Sequence, residues 1–489
     1  MADILGNDKY DVLNQIIERI HKDCVKIDDE ERKYLVSKFQ KVLEKFIEKM
    51  KECDPTFKQI FCKIGYTGSF YDGVRVGEAT EFDLNLILKP KLKMDLDKKQ
   101  CDKGFIKIKI INAADCVKPI NDWIVDGFLN PTDLKKWLEG VISKTINSIS
   151  SKVDDCQLKF VKSGPAMTLK VTPNSTPRKE ISIDLVPVIE FPGTIWPPIP
   201  EKPKKLLNKG YGQPWFAVPK ADTAWRMSFH LHEKFVIKDL QYLKYTLRLL
   251  KKVRDELEIN KVASYYIKTL FLWELERNKE SQTMWSTYGR GRLFMHMLVR
   301  FREALQERRI PFFWERELNL IGHLKEGYIK NSFDKLNNFI KQIDKHIDAK
   351  NEYELEVYIC KELNQKIPAS LVASTSKLQM VAKSNKGQLY IHQKDNEDVG
   401  DTDALLCSAS RREFSSSDVN NKDNEDVGDT DALLCSASLK TFSYSDVNKI
   451  VVELRNDVEQ VKNSLRELAK SNHLQIELLK SELKEQKLD

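Results

Sequence analysis

Tyr66-Thr67-Gly68-Ser69-Phe70-Tyr71-Asp72-Gly73, followed by Glu81-Phe82-Asp83-Leu84-Asn85-Leu86, reads as a phosphate loop leading into an acidic strand. Gly68 has no Cβ, so a triphosphate can approach the backbone closely, and Ser69 offers a hydroxyl and an amide N–H as donors. Successive side chains alternate along a strand. Glu81 and Asp83 therefore share one face, while Phe82, Leu84 and Leu86 share the other and can be buried. Two hard oxygen ligands beside a phosphate loop suit Mg²⁺ or Mn²⁺ holding a nucleotide triphosphate. A Gly-Ser pair is common, however, and an acid-x-acid strand is usually a solvated face, so the reading depends on a third carboxylate from another strand.

Asp184 supplies it. It lies within Ile181-Ser182-Ile183-Asp184-Leu185-Val186-Pro187-Val188-Ile189, a run so apolar that an unpaired charge there is costly. Coordination of metal beside Glu81 and Asp83 would offset that cost, the alternative being a strand-edge Asp facing water.

The 489 residues allow more than one domain, and 41% hydrophobic with 9% aromatic residues is normal for a globular protein. There is no apolar run long enough to span a bilayer, and Asp3, Asp8, Lys9 and Asp11 interrupt any signal-peptide core, so the expectation is a cytoplasmic protein without membrane association. The nine cysteines form no C-x-x-C pair, and His230 and His232 have no cysteine cluster behind them, so structural zinc is not expected. The net charge of +7 is mild, but lysines crowd 202–220 and acids crowd 395–431, giving a basic body and an acidic tail.

Residues 1–27 read as a helical lead-in. Tyr34, Leu35, Phe39, Val42, Leu43, Phe46, Ile47 and Met50 then recur at three- and four-residue intervals, predicting a long amphipathic helix. Its other face carries Lys38, Lys41, Lys45, Lys49 and Lys51, either a solvated surface or a rail for a polyanion. Strands are predicted at 59–64, 81–88, 105–110, 166–171 and 181–189, with a helix over 129–149 behind Pro131. The proline-rich stretch 191–219 reads as an extended connection between lobes, and helices are predicted at 240–257, 264–276, 293–308 and 329–347. The expected class is α+β: a catalytic lobe at 28–200 with a mixed twisted sheet, then a helical lobe at 201–368 that completes the nucleotide site.

From about Ser370 the composition predicts disorder, and in the tail at 369–448 the segment 394–410 recurs almost verbatim at 422–438. Val451, Leu454, Val458, Val461, Leu465 and Leu468 give 449–489 the spacing of a coiled coil for self-association, or of a lone amphipathic helix.

The Gly-Ser loop, Glu81-x-Asp83 and Asp184 in this order resemble the nucleotidyltransferases related to cyclic GMP-AMP synthase, specifically the cGAS-like receptors of animals. Trp225-Arg226-Met227-Ser228-Phe229-His230-Leu231-His232-Glu233, Leu249-Leu250-Lys251-Lys252-Val253-Arg254-Asp255 and Ser264-Tyr265-Tyr266-Ile267-Lys268-Thr269 resemble the motifs of that family's second lobe. The resemblance covers roughly 28–364. It implies that Glu81, Asp83 and Asp184 are catalytic and hold two Mg²⁺ or Mn²⁺ ions, and that Thr67, Gly68 and Ser69 hold the donor triphosphate. It also implies that Lys251 meets phosphate, that Ser264, Tyr265 and Lys268 belong to the nucleotide site with Tyr265 stacking on a base, and that Arg226, Ser228 and Glu233 contact the second nucleotide. These roles suit phosphoryl transfer, which needs positioning and charge neutralisation, and a flat ring stacks on any base.

The vertebrate DNA sensor carries a His/Cys zinc thumb in its second lobe, whereas here 229–264 contains no cysteine. Val186 stands where the vertebrate enzyme has Thr, so base preference and linkage need not follow it. The resemblance therefore implies a synthase of a cyclic dinucleotide, expected to be cyclic GMP-AMP, from ATP and GTP. Double-stranded RNA is the expected activator and a STING-type receptor the expected reader of the product in innate antiviral signalling. The alternatives are a catalytically silent nucleic-acid-binding or scaffold protein of the same fold, and the same enzyme answering another ligand.

Overall fold

The computed structural model describes residues 4–25, 29–99, 101–112, 119–150, 152–163, 166–175, 178–199, 212–220, 224–277 and 281–365. Most of the lysine-rich stretch after 200, the acidic duplicated tail and the stretch 449–489, expected from sequence to be a coiled coil or amphipathic helix, lie outside these residues.

The protein is α+β, and its sheet is organised around one strand, β10 (Ile181–Phe191). β10 pairs in parallel with β2 (Glu81–Leu88) along one edge. Its other edge pairs antiparallel first with β9 (Ala166–Pro173) and then with β11 (Trp215–Pro219). β1 (Phe61–Thr67) flanks β2, and β8 (Cys156–Ser163) and β7 (Lys152–Val153) continue beyond β9. On the far side β12 (Trp225–Ser228) joins β11 to β4 (Phe105–Asn112), which also carries β3 (Lys93–Asp97) and the short β5 (Ile124–Val125) and β6 (Phe128–Leu129). Parallel strands are normally covered on both faces. Phe82, Leu84, Leu86, Ile183 and Leu185 accordingly enter the main core, while Ile87 and Val188 enter a small second cluster with Phe216 and Val218. The alternation expected of β2 is present.

The main core is closed by α2 (Asp29–Cys53), whose Leu35, Phe39, Val42, Leu43, Phe46, Ile47 and Met50 are all buried. Phe39 stacks on Phe82 with ring centroids 4.0 Å apart. Each such side chain contributes roughly 1.5–3 kcal/mol of gross stabilisation. α5 (Pro131–Ser148) packs beside α2; Pro131 stands in its first turn and Asn130 Oδ1 accepts from Thr132 N at 2.8 Å. The strand expected from Gln59 begins two residues later, because Asp54 Oδ1 accepts from Phe57 N and starts a short helix, α3 (Pro55–Ile60), with Pro55 at its head.

The second lobe contains α6 (His230–Ile237), α7 (Gln241–Glu256), α8 (Ser264–Arg277), α9 (Ser281–Thr287), α10 (Arg290–Gln306), α11 (Glu326–Asp348) and α12 (Glu352–Glu362). α10 packs against α7, α8 and α11. Two points bear on where the helical lobe is drawn. First, β11 and β12 belong to the sheet, so 201 does not begin the helical lobe and the end of 191–219 is a strand rather than a connection. Only backbone pairing reveals this, since Trp215–Pro219 is too short for its pattern to speak. Second, the N-terminal lead-in forms α1 (Leu13–Val25), which buries Leu13, Ile16, Ile17 and Ile20 and packs on α10 of the helical lobe. Tyr10 OH donates to Asp344 Oδ1 (2.9 Å), and Arg19 grips both oxygens of Glu356 (2.7 and 2.6 Å). Gly291 fits against the Tyr10 carbonyl, where an added Cβ would lie 2.2 Å away. No helix among the described residues is long and apolar enough to cross a membrane.

Candidate functional site

The quoted stretch bends at Gly68. Its φ of +79° suits glycine, and an added Cβ would lie 1.9 Å from Asp83 Oδ2, so loop and acidic strand touch. Gly68–Tyr71 forms one helical turn, α4, which closes when Asp72 N donates to Gly68 O (3.1 Å) and Val74 N to Ser69 O (2.9 Å). Thr67 pairs with Asp83 across β1 and β2.

The parallel register sets Asp184 directly beside Asp83, and Ser182 beside Glu81. All three carboxylates thus come from one face of two adjacent strands. Each of the outer two has a partner of its own. Arg75 donates to Glu81 Oε2 (3.2 Å) and to the Glu78 and Glu81 carbonyls (2.5 and 3.1 Å), while Thr168 Oγ1 donates to Asp184 Oδ1 (2.5 Å). Asp83 is left with burial and two like charges, which push its pKa up to about 6; burial is the largest cause, followed by Glu81 and Asp184. Among the described residues no three carboxylate, histidine or cysteine side chains are gathered tightly enough to hold a metal ion. The acids nevertheless fit a divalent cation, since adjacent hard oxygen donors carry a negative charge that the chain itself does not balance.

Across from the sheet, Lys268 of α8 donates to Asp72 Oδ2 (2.7 Å) and lies 2.9 Å from Glu233 Oε2. Glu233 Oε1 also accepts from Tyr265 OH and Trp314 Nε1, both at 2.9 Å. Burial alone would lower the pKa of Lys268, but the Glu233 and Asp72 carboxylates raise it above the usual lysine range. Burial would likewise raise Glu233, yet Lys268 and the Trp314 and Tyr265 donors hold it below the usual carboxylate range. Lys251 of α7 is buried and donates to Val74 O (2.8 Å); burial, then Arg254, brings its pKa down to about 8. Burial brings His230 down to about 4.

Between these walls lies a cavity of about 570 Å³. Of the residues expected from sequence, Thr67, Gly68, Ser69, Glu81, Asp83, Arg226, Ser228, Glu233, Lys251, Ser264, Tyr265 and Lys268 line it. Asp184 does not, its carboxylate being turned to Thr168 beside Asp83. Glu233 is only 3% exposed and held by three partners, so it braces the wall rather than presenting a free carboxylate. Ser264 Oγ accepts from Arg254 Nη1 (2.8 Å). Sequence reasoning missed Asp72, although it stands inside the decisive stretch, because its partner lies 196 residues away. It also missed Arg75, Thr168 and Trp314, for which no local pattern exists. Asn85 lines the cavity two residues beyond Asp83 on the same face, which alternation alone signals.

Residues 70–239 match the family described as the Mab-21 protein nucleotidyltransferase domain, and 238–338 match the Mab-21 protein HhH/H2TH-like domain. A cyclic GMP-AMP synthase-like receptor of Ctenocephalides felis is 32% identical over 385 residues, covering 70% of this chain and 87% of that protein. Proteins of the same description are 31% identical in Aethina tumida, covering 66% and 86%, and 28% identical in Tribolium castaneum, covering 74% and 99%.

Proposed function

Since the chain belongs to the cyclic GMP-AMP synthase-like receptors, a group with the Mab-21 nucleotidyltransferase domain, we propose that this nucleotidyltransferase joins ATP and GTP into a cyclic dinucleotide, cyclic GMP-AMP. The observation that carries the reading is the unbalanced negative charge centred on Asp83, in van der Waals contact with the phosphate loop and facing the cavity. Glu81, Asp83 and Asp184 would hold the divalent ions, Mg²⁺ or Mn²⁺. Such ions neutralise the charge developing on attacking and leaving oxygens in phosphoryl transfer.

The chain's own groups do the rest. Gly68 and Ser69 present backbone and hydroxyl donors to the donor triphosphate, with Thr67 at the loop's entry. Lys251, with its pKa near 8, is charged in most molecules at neutral pH and is placed to meet phosphate once its hydrogen bond to Val74 O is exchanged. Ser264, Tyr265 and Lys268 form the wall against which a nucleotide rests, and Tyr265 offers a ring face whose hydroxyl is already engaged by Glu233. Arg226, exposed at the cavity mouth, can make paired hydrogen bonds to a guanine acceptor edge beside Ser228.

Double-stranded RNA is the proposed activator, acting in the cytoplasm, with a STING-type receptor reading the product. Support comes from the basic balance of the chain and the absence of a cysteine thumb. The lysine face of α2 adds less, because Lys45, Lys49 and Lys51 each pair with a carboxylate. Purified protein incubated with labelled ATP and GTP, Mg²⁺ or Mn²⁺ and a panel of nucleic acids tests the reading. Product is expected with long duplex RNA. If neither RNA nor DNA elicits product and Asp83→Asn matches wild type, the reading fails.

A further inference from the structure

Lys244, Arg248 and Lys251 stand on one face of α7, at the spacing i, i+4, i+7. None of the three pairs with a carboxylate among the described residues, in contrast to Lys268 opposite. Lys244 Nζ donates to Lys238 O (2.7 Å), Arg248 Nη1 to Gly73 O (2.6 Å) and Lys251 Nζ to Val74 O (2.8 Å). The carbonyls of two successive residues are thus held from the helical lobe, immediately after the phosphate loop. Lys268 holds the side chain of the residue before them, Asp72. The gripped turn in turn shapes the loop, since Gly73 N donates to Phe70 O (3.1 Å) and Val74 N to Ser69 O (2.9 Å).

Arg248 differs from Lys251 in not lining the cavity. Its remaining donors converge on His21 Nε2 of α1, at 3.1 Å from Nε and 2.7 Å from Nη2. His21 stacks on Tyr245, with ring centroids 3.8 Å apart, and Tyr245 OH donates to Ile17 O (2.6 Å). Burial, then Arg248 and Arg290, bring the pKa of His21 down to about 4, so its imidazole is neutral and accepts. A guanidinium that is partly buried, has no carboxylate partner among the described residues and sits behind a phosphate loop gains balancing charge when a polyphosphate occupies that loop.

We propose that Arg248 is a positioning residue for the triphosphate, tying the Gly73–Val74 turn, and through it Gly68 and Ser69, to the N-terminal helix α1. The proposal rests on the nucleotide-site reading above. It brings into the site a helix that lies outside both matched family regions.

The test is ATP binding in Mg²⁺ by calorimetry on the full chain, with melting temperatures, for wild type, Arg248→Ala, Ser69→Ala, the double variant and His21→Ala. Loss of a charge-assisted hydrogen bond predicts ATP binding weaker by about tenfold in Arg248→Ala. Ser69→Ala alone should weaken binding severalfold but cost less than about twofold in the Arg248→Ala background, because the loop is already displaced. His21→Ala, a milder change should Arg248→Ala fail to fold, should act in the same direction more weakly. ATP affinity unchanged in Arg248→Ala, or full additivity of the two substitutions, overturns the proposal while leaving the nucleotide site intact. Wild type that binds no ATP overturns the nucleotide-site reading, and this inference with it.

Discussion

On the sheet side of the cavity, Asp83 stands among like charges and keeps its proton up to pH about 6, whereas on the helical side the more deeply buried Glu233 stays charged. Burial acts in the same direction on both. What differs is the company: Glu233 has Lys268, Tyr265 and Trp314, whereas Asp83 has Glu81 and Asp184. A fold that balances one buried carboxylate fully and leaves another unbalanced in the lining of the same 570 Å³ cavity is equipped to receive positive charge at the second. Burial alone therefore does not separate a structural acid from a functional one. The accounting of partners does.

The comparison breaks most visibly at Asp83 itself. Asp83→Asn should lower product formation by on the order of 10⁴-fold while leaving the melting temperature equal to or above wild type, since it removes a charge the chain does not balance. Loss of fold in that variant would show the two walls to be alike. Lys268→Met should do the reverse to stability, costing about 3–5 kcal/mol in denaturant unfolding because it strands Glu233 and Asp72.

A pH titration sharpens the contrast. The folded pKa of Asp83, about 6, lies above its ordinary value of 3.8, so the folded state binds the proton more tightly than the unfolded. The site's stabilising contribution is full below pH about 4 and is lost as pH rises through 6. With divalent ions chelated, the stability of wild type minus that of Asp83→Asn should fall by about 1–3 kcal/mol between pH 4 and 7. A flat difference would mean that Asp83 is balanced after all. Smallest is Thr168→Val, which removes one hydrogen bond to Asp184 and should cost about 1 kcal/mol in denaturant unfolding.

The sheet-side wall was readable from the sequence, because its logic is local: glycine for a close approach, alternation to put two acids on one face, an acid in an apolar strand. The buried stripe of α2 was legible for the same reason, since periodicity reports what a helix face meets. The helical-side wall was readable only through the family resemblance, which named Glu233 and Lys268 without their partnership. Asp72 and Lys268 meet across 196 residues, and no local pattern encodes that. Likewise β11 and β12 are defined by their neighbours in the sheet rather than by their own few residues, so the lobe boundary drawn at 201 fell inside it.

The seating of α1 on α10 has a consequence for how the chain is made. The helical lobe is built from both ends of a stretch that encloses the whole sheet, so it cannot be completed until α10 has left the ribosome, long after α1 has. The entropy of closing so long a loop grows only with the logarithm of its length, and the contacts of Leu13, Ile16 and Ile17 offset it. The delay is kinetic: non-local contacts form slowly, and α1 waits with its apolar face uncovered. A fragment that starts at Asp29 would exchange that transient exposure for a permanent one, leaving the notch at Gly291 and the α10 surface around it bare.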